Sequence, residues 1–480
     1  MTTEPHEDMS FLESIPRINK ITGVREVEHP GRNSTFKDSL PLQGSTVLML
    51  DRSAPSTKHL KDELALMGAT QFDVVHNPND FFRYVYDRNY DFVFVDFNID
   101  ERRNGVLVLE ELRACQPAHF NSSLIVVSGD RSSSALVGMM EFEPDAFLIK
   151  PFSAEELSKR VIRIHARRMV MKPVIKARVY KQYEAALALC DEVLLEFPHY
   201  DREIFRLKVD LLMLAKRNKA AEVLLKGYTG LQTPAWIDLT LARISRERGD
   251  RAEAESWLRK SISGTPHFVQ AHNMLAELLV ESGRCEEALS VLEGLNSVVT
   301  PSIHRLRLMA ELTELQGYED RQRNYLAKLI ERTVGTSLLS PNDFYQLAKA
   351  HIDNQRPDEA YKVLGRMRSM VDAVEAEMAE NLLLVYGYYL NNDIERARND
   401  LETVVKRQIS KGIHLCLEGQ LILMGLCARL GLAKKADSLR LQLTKSTNSP
   451  ATLLRVQRAV QAPAQPSPKG ETNSRGRALR

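Results

Sequence analysis

The chain has 480 residues, of which 44% are hydrophobic and 27% are charged. That length exceeds what one hydrophobic core usually organises, so we expect two or more globular domains. The 65 basic residues nearly balance the 63 acidic ones, which leaves a net charge of +2. A chain so evenly charged is not drawn strongly to nucleic acid or to anionic membranes.

The cysteines and the N-terminal residues indicate a reducing, cytoplasmic setting. The five cysteines are scattered without a CxxC pair, so we expect buried thiols and not disulfides or a zinc site. The segment Met1–Ser10 is polar and acidic and does not have the pattern of a secretory signal. The longest apolar run, Leu382–Leu390, is far shorter than a membrane span.

Residues 1–44 are rich in charged residues, Pro, Ser and Asn and have no sustained periodicity. This composition predicts a disordered lead-in. Between residues 45 and 165, short apolar runs then alternate with amphipathic segments. Four runs, at 46–50, 92–95, 124–127 and 146–149, are followed directly by Asp51, Asp96, Ser128 and Lys150. The alternation predicts a parallel sheet with helices on both faces, and the carboxyl ends of its strands should bring these four side chains together.

These residues, in this order and spacing, resemble the receiver domain of two-component response regulators. The segment from Tyr90 to Asp96 resembles the third strand of that family, and Asn104–Gly105 resembles the loop after it. The segment from Phe142 to Phe152 resembles the last strand and its cis-proline turn. The resemblance implies a doubly wound, flavodoxin-like α/β fold for residues 45–165.

The resemblance also implies a role for each residue of the set. Asp96 would be the phosphoacceptor, because a carboxylate can attack a phosphoryl donor and hold an acyl phosphate. Lys150 would pair with the charge of the phosphoryl group. Ser128 and Phe147 would form the switch: the hydroxyl moves toward a phosphoryl oxygen, and the aromatic ring moves into the space that the hydroxyl leaves. Asp51 would complete the acidic pocket.

The magnesium ion of the family would be bound by Asp51, Asp96 and Asn98, but one neighbouring position departs from the family pattern. Receivers usually carry two adjacent acids after the first strand, and here the pair is Asp51–Arg52. Two unit charges ~4 Å apart interact by roughly 4 kcal/mol at an effective dielectric constant near 20. We therefore expect Arg52 to attract Asp96, to lower the pKa of Asp96 and to oppose the metal, so that Mg²⁺ binding is weak or absent.

Two arrangements of Arg52 stay open. In the first, its guanidinium stands in for the metal and fixes one conformation, which makes the domain a pseudo-receiver. In the second, Arg52 points to solvent, and Asp51 with Asp100 or Glu101 still holds Mg²⁺.

Residues 167–450 have a helical pattern throughout and repeat at a fixed step. Gly249, Gly283 and Gly317 are each 34 residues apart. Gly permits the turn between two helices, and small Ala residues let paired helices approach closely. The step and these residues resemble the tetratricopeptide repeat, in about eight units, and imply an all-α solenoid. Degenerate copies of the repeat lie around Ala186, Ala221, Ala360, Ala397 and Ala436.

Such a solenoid is suited to binding a segment of another protein in its groove. Candidate groove residues are Arg243, His272, Asn273 and Arg305, and Tyr386, Tyr388 and Tyr389 form a candidate contact patch. After the array, residues 451–480 contain several prolines and end in Arg475–Gly476–Arg477, which predicts a disordered basic tail. An RNA-binding function would rest on this tail and the basic pI alone.

The sequence predicts a regulator that is not an enzyme. It contains no Gly-rich phosphate loop, no HExxH and no Ser/His/Asp motif in a credible setting. The whole arrangement resembles proteobacterial receiver–tetratricopeptide regulators, which implies a histidine kinase or another two-component protein as the partner of the receiver. A further protein would bind the array, without a membrane or nucleic acid. The alternative is a constitutive scaffold of a multiprotein complex, in which a pseudo-receiver serves as a docking domain.

Overall fold

The computed structural model describes residues 40–99, 103–115, 122–129, 138–228, 233–371, 373–410, 412–447 and 449–461. The chain divides into two compact units, residues 1–271 and residues 272–480. Most of the predicted lead-in, residues 1–39, lies outside the described residues, as do residues 462–480 of the predicted tail. Among the helices of the described ranges, none is long and apolar enough to cross a membrane.

Five parallel strands form one sheet in the first unit. The strands are β1 (Thr46–Leu50), β2 (Gln71–Val75), β3 (Phe92–Asp96), β4 (Ser123–Ser128) and β5 (Ala146–Ile149). They lie in the order β2-β1-β3-β4-β5, which is the strand order of the doubly wound, flavodoxin-like fold that the resemblance implied. The strand β2 is the one that the apolar runs did not reveal, because its sequence QFDVV is partly polar and only its last residue is buried.

Among the described residues, helices pack on both faces of this sheet. They include α1 (Ala54–Leu66), α2 (Pro78–Asp87), α3 (Gly105–Cys115) and α4 (Ala154–Val179). Successive residues of a strand point to opposite faces. Met49 and Phe94 therefore pack with α1 and α4, whereas Leu50 and Val95 pack with α2 and α3.

The receiver begins a few residues before its predicted start at 45. Leu42 is fully buried in the cluster that contains Met49 and Phe94. The backbone amide of Leu42 donates a hydrogen bond to the carbonyl of Met67 at 2.9 Å. The prediction that residues 40–44 belong to the disordered lead-in is therefore wrong, because Leu42 supplies an apolar side chain to the core.

Helix α4 belongs to the receiver and to the helical array. It begins with a capping box, in which Ser153 and Glu156 bond each other's backbone amides. Leu157 and Val161 then pack in the receiver core, and Val174 packs in the core of the next helices. The boundary that the sequence placed at 165–167 therefore lies inside one continuous helix, whose apolar residues fill two cores in succession.

The array continues as helical hairpins. The remaining helices of the hairpins are α5 (Tyr183–Glu196), α6 (Asp201–Leu214), α7 (Asn218–Lys226), α8 (Ala235–Arg248), α9 (Arg251–Gly264), α10 (Val269–Glu281), α11 (Cys285–Asn296), α12 (Ile303–Gln316), α13 (Glu319–Thr333), α14 (Pro341–Asp353), α15 (Pro357–Arg368), α16 (Ala373–Leu390), α17 (Ile394–Ser410), α18 (Leu417–Arg429) and α19 (Ala433–Ser446). Taken in pairs from α4–α5 to α18–α19, they form eight hairpins within the described residues.

Each hairpin turns at a residue with a left-handed backbone. The predicted glycines Gly249, Gly283 and Gly317 have φ of 89°, 75° and 74°. Five residues after the turn, in seven of the eight hairpins, a buried alanine lies on the second helix, where a small side chain allows the two helices to approach. The turn residues of the other hairpins are Lys181, Lys216, Gln355, Asn392 and Gly431. The buried alanines are Ala186, Ala221, Ala254, Ala288, Ala360, Ala397 and Ala436.

A further helix, α20 (Pro450–Gln461), packs into the second unit. Ala451 and Val456 are buried, and Arg455 is only 5% exposed. The prediction of a disordered tail is therefore wrong for residues 451–461. The reason is that buried carboxylates of the second unit neutralise Arg455, so a sequence that looks solvent-exposed can be held inside.

Candidate functional site

The predicted acidic residues meet at the carboxyl edge of the sheet. Leu50 pairs in register with Val95, so Asp51 after β1 lies beside Asp96 at the end of β3. Lys150 follows β5, which lies two strands from β3 and three from β1. Its long side chain reaches both acids. The peptide bond between Lys150 and Pro151 is cis, as the resemblance to receivers implied.

One ammonium group bridges the two carboxylates. Lys150 Nζ donates a hydrogen bond to Asp51 Oδ2 at 2.8 Å and another to Asp96 Oδ2. The remaining oxygen of each acid accepts from a backbone amide at 2.7 Å: Asp51 Oδ1 from Ser53, and Asp96 Oδ1 from Asn98. The two carboxylates and the single ammonium leave a local charge of about −1.

The environment separates the pKa values of the two acids. Burial tends to raise the pKa of Asp51, but the hydrogen bonds from Lys150 and from the Ser53 amide outweigh it and hold that pKa below its usual value. Burial raises the pKa of Asp96, and its bonds to Lys150 and to the Asn98 amide offset this only in part. Burial tends to lower the pKa of Lys150, yet its hydrogen bonds to the two acids keep that pKa above its usual value.

Arg52 does not lie between the two carboxylates. Its side chain is exposed, and Nη1 donates a hydrogen bond to the carbonyl of Ile99 at 3.2 Å. The prediction that Arg52 lowers the pKa of Asp96 is wrong, because the cation beside Asp96 is Lys150 and burial dominates. The carboxylates that the sequence offered as metal ligands, Asp100 and Glu101, lie outside the described residues.

The two predicted switch residues lie on neighbouring strands beside this edge. Ser128 ends β4, is 2% exposed, and its carbonyl accepts from the Lys150 amide at 2.8 Å. Phe147 on β5 is half-buried and packs against Val126 and Met139. Ser128 therefore ends the strand beside β3, and Phe147 lies on the next strand of the sheet, while their switching role stays a prediction.

Asn104 and Gly105 have a structural reason for their identity. Asn104 Oδ1 accepts from the backbone amide of Leu107 at 3.1 Å and so caps helix α3. A Cβ atom on Gly105 would lie 2.7 Å from the carbonyl oxygen of Asp96 and 2.9 Å from Cα of Phe97. Only glycine lets α3 start this close to the strand that carries Asp96.

Sequence reasoning missed two residues that position Asp51. Besides donating its amide to Asp51, Ser53 caps helix α1, because Ser53 Oγ accepts from the amide of Ser56 at 3.4 Å. His76 Nδ1 lies 2.8 Å from the carbonyl oxygen of Asp51, which makes Nδ1 the donor. A serine at the start of a predicted helix was a readable signal for the first residue, whereas nothing in the sequence connects His76 to Asp51.

The donor set can be compared with what Mg²⁺ requires. Among the described residues, no cluster of three or more His, Cys, Asp or Glu side chains is placed to hold a metal ion. Mg²⁺ is often held by one or two carboxylates together with water. Asp51 and Asp96, with Asn98 as the third residue that the sequence offered, fit that requirement, but Lys150 already occupies one oxygen of each acid. The residues therefore fit a weakly held ion.

Comparison with known families agrees with this geometry. The family model described as response regulator receiver domain matches residues 47–181, and that of the tetratricopeptide repeat matches residues 235–260 and 269–293. The chain joins a receiver domain to tetratricopeptide repeats. A receiver domain with such repeats suggests a two-component response regulator with protein-interaction repeats. Receiver domains generally use Mg²⁺ in phosphorylation. The receiver match also extends to the end of α4, in agreement with the shared helix.

Solved structures of both kinds resemble parts of the chain. A receiver domain protein from Methanospirillum hungatei JF-1 is 16% identical with a TM-score of 0.24, and the alignment covers 26% of this chain and 95% of that one. A receiver domain from Methylobacillus flagellatus is 25% identical with a TM-score of 0.22, covering 25% and 98%. A tetratricopeptide repeat protein from Parabacteroides merdae ATCC 43184 is 12% identical with a TM-score of 0.32, covering 49% and 91%. No curated protein matches the chain.

The predicted groove residues of the array have different environments. Arg243 is exposed, and its contact with a partner stays a prediction. Arg305 is fully buried, and its Nη2 donates a hydrogen bond to the Thr300 carbonyl at 2.9 Å, so the prediction that it lines a groove is wrong. The Tyr386 hydroxyl donates to Asp353 Oδ1 at 2.7 Å within the second unit.

Proposed function

We propose that this chain is a phosphorelay response regulator that acts by protein contact and not by catalysis on a further substrate. The observation that carries the proposal is the Lys150 ammonium held between Asp51 and Asp96 at the carboxyl edge of the sheet. Such an arrangement offers a carboxylate as nucleophile and a cation for the charge of the transferred group. Asp96 is the proposed phosphoacceptor.

The reaction would proceed by displacement at phosphorus. A carboxylate oxygen of Asp96 forms a new bond to the phosphorus atom, and the bond to the donor group breaks with its electron pair leaving on the donor. Lys150 then exchanges its bond to Asp96 for one to a phosphoryl oxygen, and it keeps its bond to Asp51. Asp51, Asp96 and Asn98 would hold Mg²⁺, which would supply positive charge for the phosphoryl group. We expect weak binding because Arg52 replaces the usual second acid.

Helix α4 is the proposed route from this site to the repeats. Phe147 lies on β5, and its carbonyl accepts a hydrogen bond from Arg160 of α4. The same helix forms the first half of the first hairpin. In addition, Glu143 before β5 pairs at 2.8 Å with Arg206 of α6. A change at Ser128 and Phe147 would thus reach two helices of the array without crossing a flexible linker.

The proposed partners follow from the two kinds of domain. A histidine kinase or another two-component protein would donate the phosphoryl group to the receiver. The repeats would bind a further protein, whose activity the regulator controls.

A second candidate function is favoured by the contact of Arg52. Its bond to the Ile99 carbonyl ties the loop after β1 to the loop after β3, which would hold a metal-free pocket in one conformation. On this view the receiver is a docking domain of a constitutive scaffold, and phosphorylation has no part in it.

Phosphoryl transfer to the purified chain separates the two candidates. Acetyl phosphate or phosphoramidate would be supplied with and without Mg²⁺ to the natural chain and to Asp96→Asn and Arg52→Asp variants. The regulator predicts label on the natural chain, more label on Arg52→Asp at low Mg²⁺, and none on Asp96→Asn. Label that appears only after Arg52→Asp would favour the scaffold. Label that persists on Asp96→Asn would contradict Asp96 as the acceptor.

A further inference from the structure

Within the second unit, helix α20 inserts a buried arginine among three glutamates. The Arg455 side chain is only 4% exposed. Its Nε donates a hydrogen bond to Glu314 Oε2 of α12 at 2.7 Å, and its Nη2 donates to Glu418 of α18. A third carboxylate, Glu311 of α12, has its Oε1 3.8 Å from Nη1 of Arg455. Residues far apart in sequence thus converge on one guanidinium.

The glutamates require a cation at this place. Lys349 of α14 offsets part of their charge, since its Nζ donates to Glu314 Oε1 at 3.1 Å. Without Arg455, the three largely buried glutamates would lose the one cation whose guanidinium lies within 4 Å of each of them. Leaving charges buried without partners costs several kcal/mol by general experience with such sites. The planar guanidinium of arginine matches carboxylates better than an ammonium does, and here one guanidinium contacts glutamates of α12 and of α18 at once.

Helix α20 fills this site incompletely. The Nη1 atom of Arg455 is buried and has no hydrogen-bond partner, and Glu311 is too distant to accept from it. A cavity of about 330 Å³ lies directly beside the helix. Arg455 and Arg458 of α20 line this cavity. Lys349, Tyr386 and Leu421 are among its other lining residues. A longer or differently placed helix could therefore make contacts that α20 does not.

Helix α20 also buries fewer side chains than the neighbouring helix α18. Its fully buried side chains besides Arg455 are Ala451, Thr452 and Val456, whereas Val460 is 37% exposed. The neighbouring helix α18 buries nine residues. Because apolar burial is the main source of helix stability in proteins, α20 should detach at a lower free-energy cost than α18.

We propose that Glu311, Glu314 and Glu418 form a binding site for a partner's amphipathic helix that carries an arginine, and that α20 occupies this site as an internal competitor. We name these three residues the acid site. The inference rests on the proposed function, since it specifies the partner segment that the repeats bind. A partner helix must displace α20, so binding is weaker than the site alone would allow.

A synthetic peptide tests the competition. The probe is a fluorescent peptide with the sequence of residues 449–461, added to the full-length chain. The variant Arg455→Glu places a fourth carboxylate in the acid site and expels α20. We expect this variant to bind the peptide at least about tenfold more tightly than the natural chain does, because the competent state is no longer a minor one. The control variant Arg440→Glu reverses an exposed charge on α19 and should bind like the natural chain.

The chemistry of recognition is tested in the peptide and in the site. A peptide with Arg455→Lys should bind more weakly than the arginine form, since an ammonium cannot satisfy the carboxylates in the same geometry. Adding Glu418→Gln to the Arg455→Glu chain should also weaken binding. Equal binding of the arginine and lysine peptides would overturn the arginine-specific site, and equal affinity of natural and Arg455→Glu chains would overturn the competition.

Hydrogen exchange of the unaltered chain decides the matter if the Arg455→Glu variant fails to fold. We expect amides of α20 to exchange at least about tenfold faster than those of α18, because α20 opens locally. Equal protection of the two helices would make α20 a fixed part of the fold and overturn the proposal. Labelling of Asp96 is independent of these readouts. Lost peptide binding with intact labelling would refute this inference alone, and lost labelling with intact binding would refute the proposed function alone.

Discussion

Lys150 is the single residue on which the charge balance of the receiver site depends. Its ammonium contacts one oxygen of Asp51 and one of Asp96, and its side chain is 25% exposed. In a set of two carboxylates and one ammonium, the cation is the member whose loss is least tolerated. Removing it leaves two like charges side by side in a partly buried place.

Replacement of Lys150 by Gln should therefore destabilise the receiver. We expect the free energy of unfolding to fall by about 1–3 kcal/mol, less than for a fully buried pair because water reaches Lys150. Thermal denaturation of the full-length chain measures this. The control is Lys159→Gln, whose ammonium pairs with Glu155 on an exposed surface of α4 and should be nearly neutral. Equal effects of the two substitutions would contradict the bridging role of Lys150.

Gly105 offers a steric test of the same edge. A methyl group there would overlap the Asp96 carbonyl and Cα of Phe97, so α3 or β3 must shift. Gly105→Ala should lower the free energy of unfolding by about 1–3 kcal/mol, the usual range for overpacking. Gly264→Ala at the end of α9 meets no atom within 4 Å and serves as the control in the same denaturation experiment. A stable Gly105→Ala chain would show that the close approach is not needed.

The site was predictable from the sequence where backbone position decides it. Asp51, Asp96 and Lys150 each follow a buried strand, so the sheet brings them together whatever their rotamers. Arg52 was not predictable in the same way, because its long side chain can reach several acceptors. It contacts the Ile99 carbonyl, and no sequence pattern distinguishes that contact from one with Asp96.

At the scale of elements, helix α4 is where a signal must pass. Its first half packs in the receiver core and its second half in the first hairpin. Sequence patterns do not show which of its apolar residues belong to which core, because the apolar residues of a helix look alike on either side of a domain boundary. The turns show the same limit: Gly249, Gly283 and Gly317 revealed the repeat. Four other turns have the same left-handed backbone at a lysine, glutamine or asparagine. Because these turns contain no glycine at that position, the sequence did not reveal them.

A substitution in the second half of α4 should loosen the link to the array. Val174 is fully buried in the first hairpin, and Val174→Ala should lower the protection of α4 and α5 amides by about 1–3 kcal/mol through lost apolar burial and a small cavity. Hydrogen exchange read by mass spectrometry measures this. Val179→Ala on the same helix, where the side chain is 70% exposed, should change little. If Val179→Ala had the larger effect, the shared core would be disproved.

At the scale of the whole molecule, both units bury ion networks, and the second holds a carboxyl with a strongly shifted pKa. Burial raises the pKa of Glu311 to about 7. The guanidinium of Arg455 lowers this pKa, the carboxylates of Glu314 and Glu418 raise it, and Arg307 lowers it. Between its ordinary value of 4.5 and about 7, the unfolded chain releases this proton while the folded chain keeps it. The contribution of Glu311 to stability is thus complete below pH 4.5 and is lost as pH rises to about 7.

Thermal denaturation across this pH range tests the prediction. The free energy of unfolding should lose up to about 3 kcal/mol between pH 4.5 and 7 from this group. In Glu311→Gln the same loss should be absent, and the difference between the two chains isolates the effect from His351 and other groups that titrate nearby. A parallel pH dependence of both chains would contradict the shifted pKa.

The α/β domain and the repeats were predictable from the sequence, whereas helix α20 was not. Strand runs and the 34-residue step are local patterns, and they predicted the α/β domain and the repeats. Helix α20 was missed because its stability comes from Glu314 and Glu418, which lie 141 and 37 residues from Arg455 along the chain. A charged residue that is neutralised over such a separation looks solvent-exposed in the sequence.

The most direct test of the account is hydrogen exchange of the full-length chain before and after phosphorylation. Acetyl phosphate with Mg²⁺ would be added to the natural chain and to Asp96→Asn. We predict that protection changes at β5, continues along α4 past Val174 into α5, and stays constant in Asp96→Asn. Label on Asp96 together with unchanged exchange beyond the receiver would contradict the claim that the repeats read the state of Asp96 through helix α4.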